Sequence, residues 1–293
     1  MRRFRLACRT AVAGAAAVGA FPVLDAQPTA RVMPAPCGVS WRSARPALVW
    51  QGTPALRWAS WSITVGRPAL PLRLIVVELD PRHWRWSLDR QRVAGELQPW
   101  RLDNLDDSVA VALNAGQFTD DGPWGWLVHE GIERQAPGAG PLAGAVVVDR
   151  SGTVALHDAD EIAAVRQGAN ALEAWQSFPT LLDRRGRVPA ALCASRDGVD
   201  PAHRDIRFAF GIRPDGRVLL VLSRLDTDVP LADRTPVGPT TREMAAALHA
   251  LGARRALLLD GGLSAQLLVR VNGRTRRWPG LRVVPLGVVV RPR

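Results

Sequence analysis

The sequence contains no lysine and no tyrosine, so all 38 of its basic residues are arginine. It is also rich in alanine, glycine and proline, which is the pattern that GC-rich codons produce, so codon bias explains much of the net charge of +11. Nucleic-acid-binding proteins usually gather their basic residues on one face, whereas these arginines are scattered along the chain. We therefore expect no nucleic-acid partner. The basic surface is then either merely solvated or attracts anionic substrates and envelope polymers.

Several common catalytic and metal-binding motifs are absent. The sequence has no G-x-S-x-G nucleophile elbow, phosphate-loop motif, dinucleotide fingerprint or H-E-x-x-H helix. It also lacks a C-x-x-C motif and any Cys/His cluster, which argues against a structural zinc site. We therefore expect neither a metal nor a cofactor.

The first 26 residues have the order of a secretory signal peptide. Residues 1–10 carry four arginines and no acidic residue, residues 11–24 are small and apolar, and a polar stretch follows. The apolar run is too short for a standard membrane-spanning helix, and no other segment is long and apolar enough to cross a membrane. We predict a signal peptide over residues 1–26, a periplasmic or secreted protein, and no stable membrane insertion after cleavage. The alternative is an uncleaved membrane anchor.

The rest of the chain predicts one domain preceded by a linker. Residues 27–45 are rich in proline and alanine and predict the linker, and no later change in composition marks a second boundary before residue 293. Cys8 would leave with the signal peptide, so Cys37 and Cys193 remain. An oxidising compartment would permit one disulfide between them.

Short apolar segments indicate that β-structure dominates residues 46–293. The predicted strands are residues 72–79, 109–114, 145–148, 153–156, 208–212, 218–222, 256–259 and 281–290. Apolar periodicity predicts two main helices, one over residues 158–175 and one over residues 240–251 that ends at Gly252. Hairpins interrupted by two helices predict an α+β fold with mixed, largely antiparallel sheets rather than a doubly wound sheet.

The segment LLLDGGLS, residues 257–264, is the strongest candidate for a functional loop. An apolar strand delivers the carboxylate of Asp260 to its end, and Gly261 and Gly262 permit a tight turn with close backbone approach. Exposed amides there can bind an anion, and Ser264 adds a hydroxyl. The alternative is a hairpin turn in which Asp260 serves only as a cap.

The segment LNAGQF, residues 113–118, is the second candidate. It places the amides of Asn114 and Gln117 around Gly116 at a strand end, where they can bind sugar hydroxyls or phosphate oxygens, or simply close a turn. Trp124 follows in a GPWGW segment, and indole faces stack on pyranose rings. The chain has eleven tryptophans, most of which must serve packing, so this indication is weak.

Three further positions carry charge near predicted element ends. Arg207 opens a strand, with His203 just before it, and can bind phosphate bidentately or lie solvated at the surface. Glu243 follows Thr240 by three residues, which is capping-box spacing, so we favour a helix cap over catalysis there. Glu130 is a carboxylate candidate on position alone.

Taken together, these segments resemble the phosphodiester glycosidase family, in the family's order and over roughly residues 70–290. LNAGQF is similar to the family's Asn-Gly-Gly-Phe-Phe motif, and residues 203–222 resemble its Arg-Thr-Ala-Ile-Gly strand and hairpin. Residues 243–245 match the following helix, and LLLDGGLSAQ resembles the Leu-Asp-Gly-Gly-Gly-Ser signature. The sequence departs from the family's pattern at Ala115, Gln117, Phe208 and Leu263. Ala115 and Leu263 add bulk where the family has glycine, which indicates a narrower or differently shaped pocket.

The resemblance implies a glycosidase that cleaves the bond between the anomeric carbon and phosphate in a sugar-1-phosphodiester. The predicted signal peptide adds export, and with it a substrate in the envelope or among extracellular glycoconjugates. The catalytic residues would be Asp260, Asn114 and Arg207. The substrate-binding residues would be Gly116, Gln117, Gly261, Gly262, Ser264, Trp124 and His203. Two alternatives stay open: a non-catalytic polysaccharide-binding envelope protein, and a phosphodiesterase that cleaves the P–O bond.

Overall fold

The structure, a computed structural model, describes residues 29–90, 92–93, 96–194, 199–229 and 232–293. The predicted signal peptide therefore lies outside the described residues. Strands account for 41% of the structure, in several antiparallel sheets, and one of the three described helices has seven residues or more. This confirms the α+β fold with largely antiparallel sheets. None of the described helices is long and apolar enough to span a bilayer.

The described strands are, in chain order, β1 (Ala30–Arg31), β2 (Gln51–Gly52), β3 (Leu56–Val65), β4 (Leu70–Leu79), β5 (Trp84–Asp89), β6 (Arg92–Val93), β7 (Glu96–Leu97), β8 (Val111–Asn114), β9 (Phe118–Thr119), β10 (Gly122–Pro123), β11 (Leu127–His129), β12 (Ile132–Gln135), β13 (Gly144–Asp149), β14 (Val154–Asp158), β15 (Ala171–Ser177), β16 (Thr180–Leu182), β17 (Phe208–Ile212), β18 (Val218–Leu225), β19 (Arg255–Leu258), β20 (Leu267–Val271), β21 (Arg274–Trp278) and β22 (Gly287–Pro292). The helices are α1 (Ile162–Gln167), α2 (Ala190–Cys193) and α3 (Thr241–Ala250).

Three sheets build the fold. The largest has the order β1-β3-β4-β18-β17-β19-β16, with β2 added to β3, and all of its pairs are antiparallel except β1 with β3. Two five-stranded sheets have the orders β12-β11-β15-β13-β14 and β21-β20-β8-β22-β5. The remaining described pairs are the short ribbons β9–β10 and β6–β7.

The two faces of the largest sheet enter different cores. Successive side chains of a strand point to opposite faces, so Phe208 and Phe210 lie in one core and Ala209 in the other. The first core also contains side chains from both five-stranded sheets, including Trp86 and Trp175, whose rings meet Phe210 edge-on. The second core lies beneath α3.

The predicted helix over residues 240–251 is confirmed as α3. The Thr240 side chain accepts a hydrogen bond from the Glu243 N–H, and the Glu243 carboxylate accepts one from the Thr240 N–H, so the capping box is formed. At the other end Gly252 has φ +88°, a left-handed conformation that glycine adopts without steric cost.

The predicted helix over residues 158–175 is wrong over most of its length. Only α1 is helical there, because the chain turns through Gly168 and through Ala169, which has φ +48°. The following residues form β15, which pairs with β11 on one side and with β13 on the other. The apolar spacing that suggested a helix was therefore overridden by strand pairing across the sheet.

The described part of the predicted linker, residues 29–45, packs against the domain through backbone pairing, hydrogen bonds, a disulfide and a ring contact. Ala30 pairs with Ile63 in β3, and the Ala35 N–H donates to the Arg242 carbonyl at 3.1 Å. Cys37 forms a disulfide with Cys193, the pair that the sequence permitted. Trp41 stacks on His249 of α3 with ring centroids 4.3 Å apart. These contacts fasten the segment to the α3 side of the largest sheet.

Candidate active site

The sheet geometry brings the motif loops together at one cavity. Because β17 and β19 are antiparallel, with Ala209 opposite Leu258, the start of β17 lies beside the end of β19. Arg207 precedes β17 there and Asp260 follows β19. The Asp260 N–H also donates to the carbonyl of Ala115, which follows β8 in another sheet. A cavity of about 500 Å³ opens at this junction.

The cavity contains many of the predicted site residues and several that were not predicted. The lining residues are Gln117, Phe178, Pro179, Val199, Asp200, His203, Asp205, Arg207, Thr241, Leu258, Leu259, Asp260, Gly261, Gly262, Leu263, Ser264 and Arg282. Of the predicted residues, Asn114, Gly116 and Trp124 do not line it.

Gly261 and Gly262 lie directly on the chain that leads into β17. A Cβ atom on Gly261 would be 2.5 Å from the carbonyl oxygen of Ile206, and one on Gly262 would be 2.9 Å from a carboxylate oxygen of Asp205. The Gly262 N–H donates to the Ile206 carbonyl at 2.8 Å. That amide is therefore used within the protein, and the two glycines serve first to bring the Asp260 loop against the Arg207 segment.

The Asp260 carboxyl is partly buried in the cavity wall. Burial raises its pKa above the ordinary 3.8, because a charged carboxylate is poorly solvated there. A hydrogen bond from the Ser264 hydroxyl, the positive charge of Arg282 and the Gly261 N–H act in the opposite direction, and the negative charge of Asp205 adds to the rise. The group is thus a carboxyl whose proton is held more firmly than in water.

Asn114 and Gly116 do not line the cavity but contact the segments that form its wall. Asn114 is 1% exposed, and its side chain donates to the Asp260 carbonyl at 2.8 Å and accepts from the Gln266 N–H at 2.9 Å. A Cβ atom on Gly116 would be 2.1 Å from the Gln176 carbonyl oxygen, so only glycine fits there. Both residues therefore position the cavity wall.

Gln117 borders the cavity, although its amide is occupied by protein groups. The amide nitrogen donates to the Phe178 carbonyl at 2.6 Å, and the amide oxygen accepts from the Phe178 N–H at 3.0 Å and the Ser177 hydroxyl at 2.8 Å. Gln117 therefore fixes Phe178, whose ring lines the cavity. Trp124 meets that ring edge-on at 5.2 Å, so it supports the wall without reaching the cavity.

Arg207 presents a cation that no acidic side chain among the described residues neutralises directly. Its Nε donates to the Pro239 carbonyl at 3.3 Å and one terminal nitrogen donates to the His203 carbonyl at 2.8 Å. Burial lowers its pKa, and the negative charge of Asp205 partly opposes that shift. Within the described chain, no carboxylate forms an ion pair with this guanidinium. A partly buried cation held only by carbonyls is well suited to an anionic ligand.

Four charged or hydroxyl-bearing residues of the cavity were not predicted as site residues. They are Asp200, Asp205, Thr241 and Arg282. The His203 ring nitrogen lies 3.7 Å from an Asp205 oxygen. Arg282 is exposed and lies over the Phe118 ring, 4.7 Å from its centroid. Asp205 stands only two residues before Arg207, which was its one available signal. Arg282 reaches the site from a distant loop and carried none.

The two remaining carboxylate candidates lie elsewhere. Glu243 makes the capping box of α3 and an ion pair with Arg204 at 2.7 Å, which confirms the cap that the spacing favoured. Glu130 has φ 54° at the turn between β11 and β12 and does not line the cavity.

One group of carboxylates among the described residues has the spacing to hold a cation. The ligand atoms of Asp158, Asp160 and Glu161 lie within 4.8 Å of one another, away from the Asp260 cavity. Asp160 pairs with Arg184 at 2.7 Å and Glu161 with Arg255 at 2.6 Å, so arginines already balance two of the three charges. The group therefore has a structural explanation.

Known proteins match both the sequence and the fold. Residues 107–291 match the phosphodiester glycosidase family. The catalytic domain of zebrafish N-acetylglucosamine-1-phosphodiester alpha-N-acetylglucosaminidase, auto-inhibited by its pro-peptide, aligns with a TM-score of 0.64 at 17% identity, over 85% of this chain and 89% of that chain. A hypothetical protein from Synechocystis aligns with a TM-score of 0.57 at 16% identity, over 84% of this chain and 64% of that chain. No curated protein sequence matches. Because the family match covers more than half of the sequence, the chain belongs to the phosphodiester glycosidase family.

Proposed function

We propose that this protein is an exported glycosidase that hydrolyses a sugar-1-phosphodiester at the bond between the anomeric carbon and a phosphate oxygen. The observation that carries the proposal is that the Asp260 carboxyl and the unneutralised Arg207 guanidinium line one cavity. Its volume of about 500 Å³ lies in the range of small-molecule sites. Family membership and the fold shared with the zebrafish enzyme, named for a sugar phosphodiester, support the same reaction.

In the proposed reaction, water attacks the anomeric carbon and the carbon–oxygen bond to phosphate breaks. The bridging oxygen leaves with the phosphomonoester, and the water oxygen stays on the sugar. A phosphomonoester is a far better leaving group than an alcohol, so protonation by a strong acid is less needed. Stabilisation of the phosphate charge matters more, and Arg207 would supply it.

Asp260 would act in its ionised form beside the anomeric carbon. A carboxylate there can take the proton of the attacking water or stabilise the positive charge that develops on the sugar. Its raised pKa makes it a better proton acceptor than an ordinary aspartate. Ser264, which donates to that carboxylate, would hold it in place.

We infer an envelope or extracellular glycoconjugate as the substrate, since residues 1–26 predict export. Leu263 lines the cavity and is 45% exposed, where the family signature has a third glycine. A side chain at the rim would reshape the sugar subsite, so the preferred sugar would differ from that of relatives with glycine there.

Hydrolysis of a panel of glycosyl phosphodiesters in ¹⁸O-labelled water tests the proposal, with Asp260→Asn as the control. We expect turnover with the label on the sugar, and loss of turnover in the variant. Label on the phosphate would instead identify a phosphodiesterase. Tight binding without turnover across the panel would identify a polysaccharide-binding protein. Near-full turnover by folded Asp260→Asn would refute the role of Asp260.

A further inference from the structure

One buried hydroxyl group in the described cavity wall has no hydrogen-bond partner. Thr241, the first residue of α3, is 1% exposed, and its hydroxyl forms no hydrogen bond within the described chain. Buried hydroxyl groups in folded proteins are almost always hydrogen-bonded, because an unpaired one opposes folding. The Thr241 oxygen is itself buried, but Thr241 lines the cavity, so the unpaired hydroxyl reaches a ligand there once the side chain rotates toward it.

The same residue stands at the positive end of a helix. The first N–H groups of an α-helix have no partner inside the helix, and the helix dipole places partial positive charge there. In α3 the capping box uses the N–H groups of Thr240 and Glu243, and it does not use those of Thr241 and Arg242. Helix N-termini of this kind bind phosphate and other anions.

A cation lies beside this helix end. Arg207 donates to the carbonyl of Pro239, the residue immediately before the N-cap Thr240. Its guanidinium is held by backbone carbonyls and forms no ion pair with a carboxylate among the described residues. An unpaired hydroxyl, a helix N-terminus and an unneutralised guanidinium thus meet at one wall of the cavity.

We propose that this wall is the subsite for the substrate's phosphate group, with Thr241 as a specificity-determining residue. The Thr241 hydroxyl and the Arg207 guanidinium donate to the non-bridging phosphate oxygens, and the sugar lies toward Asp260. A threonine in a helix adopts either of two χ1 rotamers, so rotation turns the hydroxyl toward an incoming oxygen. The inference rests on the proposed function and extends it by assigning the phosphate end of the cavity.

The variant Thr241→Val tests the subsite because it keeps the shape of the side chain and removes only the hydroxyl. We expect the KM for a hydrolysed glycosyl phosphodiester, and the Kd for inorganic phosphate measured by calorimetry, to rise roughly tenfold. We expect kcat to change little, since the phosphate is held before and during the reaction. The Tm should stay level or rise, because an unpaired buried hydroxyl is removed.

Two further variants control for packing. Thr241→Ser keeps the hydroxyl and should restore KM and Kd to near wild-type values. Thr275→Val makes the same substitution on an exposed strand, and it should change neither. Wild-type KM and Kd in Thr241→Val would overturn the subsite. So would a loss that comes with a lower Tm and is not restored by serine.

The failure of this subsite and the failure of the proposed function give different results. If the wild-type protein hydrolyses glycosyl phosphodiesters and Thr241→Val has unchanged kinetics, the subsite is wrong and the function stands. If the wild-type protein hydrolyses none of them but binds inorganic phosphate, and Thr241→Val weakens that binding, the subsite stands and the function is wrong.

Discussion

The side-chain amide of Asn114 donates a hydrogen bond to the backbone carbonyl of Asp260 at 2.8 Å, across 146 residues of sequence. The oxygen of the same amide accepts from the Gln266 N–H, so one buried side chain holds the chain on both sides of the Asp260 loop. The LNAGQF and LLLDGGLS segments are thus linked by a hydrogen bond. The geometry favours a positioning role for Asn114, where the sequence suggested direct catalysis.

Replacement of Asn114 should therefore lower both stability and turnover. Asn114→Ala leaves a buried carbonyl and a buried N–H without their partner, and the loss of a buried hydrogen bond costs about 1–3 kcal/mol. Urea denaturation should show that decrease, and kcat should fall because the Asp260 loop is no longer held.

Asn114→Asp separates the two hydrogen bonds. A carboxylate at this position can still accept from Gln266, but it cannot donate to the Asp260 carbonyl. We expect it to lower kcat, as the alanine variant does. Wild-type kcat in a folded Asn114→Asp protein would mean that the link to Asp260 does not position the loop.

Asp260→Asn should abolish turnover and stabilise the protein at neutral pH. The folded-state pKa of Asp260 is raised, so its contribution to stability is greatest below the unfolded value of 3.8. That contribution is lost as pH rises through the folded-state pKa, because the buried carboxyl must then ionise. Thermal unfolding at pH 4 and pH 8 should show a gain in Tm for the variant that is larger at pH 8. A lower Tm for the variant at pH 8 would contradict this.

Local signals explain which elements could be predicted from the sequence. The helix over residues 240–251 was predicted correctly because its cap, its apolar face and Gly252 all lie within the segment. Residues 171–175 were mistaken for helix because their conformation depends on pairing with β11 and β13, which lie earlier in the chain and are separated from them by other elements. Strand pairing of this kind leaves no local pattern.

The site residues also differ in whether a local sequence motif marks them. Asp260, Arg207 and Gln117 were identified because each stands in a motif at a strand end, and all three line the cavity. Thr241 was missed because the signals beside it indicate a helix cap, and Arg282 because it stands in no motif; both reach the cavity only through the fold. They line the cavity because α3 and the loop between β21 and β22 pack against the strand ends.

Reduction of the Cys37–Cys193 disulfide should lower stability. The bond links residues 156 positions apart, and a cross-link over a long loop restricts the unfolded chain by about 2–5 kcal/mol. We expect dithiothreitol to lower the Tm of the wild-type protein and to leave the Tm of a Cys37→Ser/Cys193→Ser variant unchanged. An equal Tm for the oxidised and reduced wild-type protein would show that the bond does not stabilise the fold.

Gly261→Ala should disturb the site through a steric clash of the added Cβ atom. Gly261 has φ −104°, which lies outside the left-handed region that favours glycine. An added Cβ atom would instead lie 2.5 Å from the Ile206 carbonyl oxygen, and relief of that clash must separate the Asp260 loop from the Arg207 segment. Such overpacking costs about 1–3 kcal/mol. The variant should show a lower Tm together with a fall in kcat/KM.

Gly168→Ala provides the matched control in the same protein. Gly168 has a right-handed helical backbone with φ −64°, and its added Cβ atom would meet nothing closer than 3.4 Å. The substitution should therefore be neutral or stabilise the protein by about 0.4–1 kcal/mol, because alanine restricts the unfolded chain. If Gly261→Ala behaved like Gly168→Ala in both Tm and kcat/KM, close contact between the Asp260 loop and the Arg207 segment would not be needed for turnover.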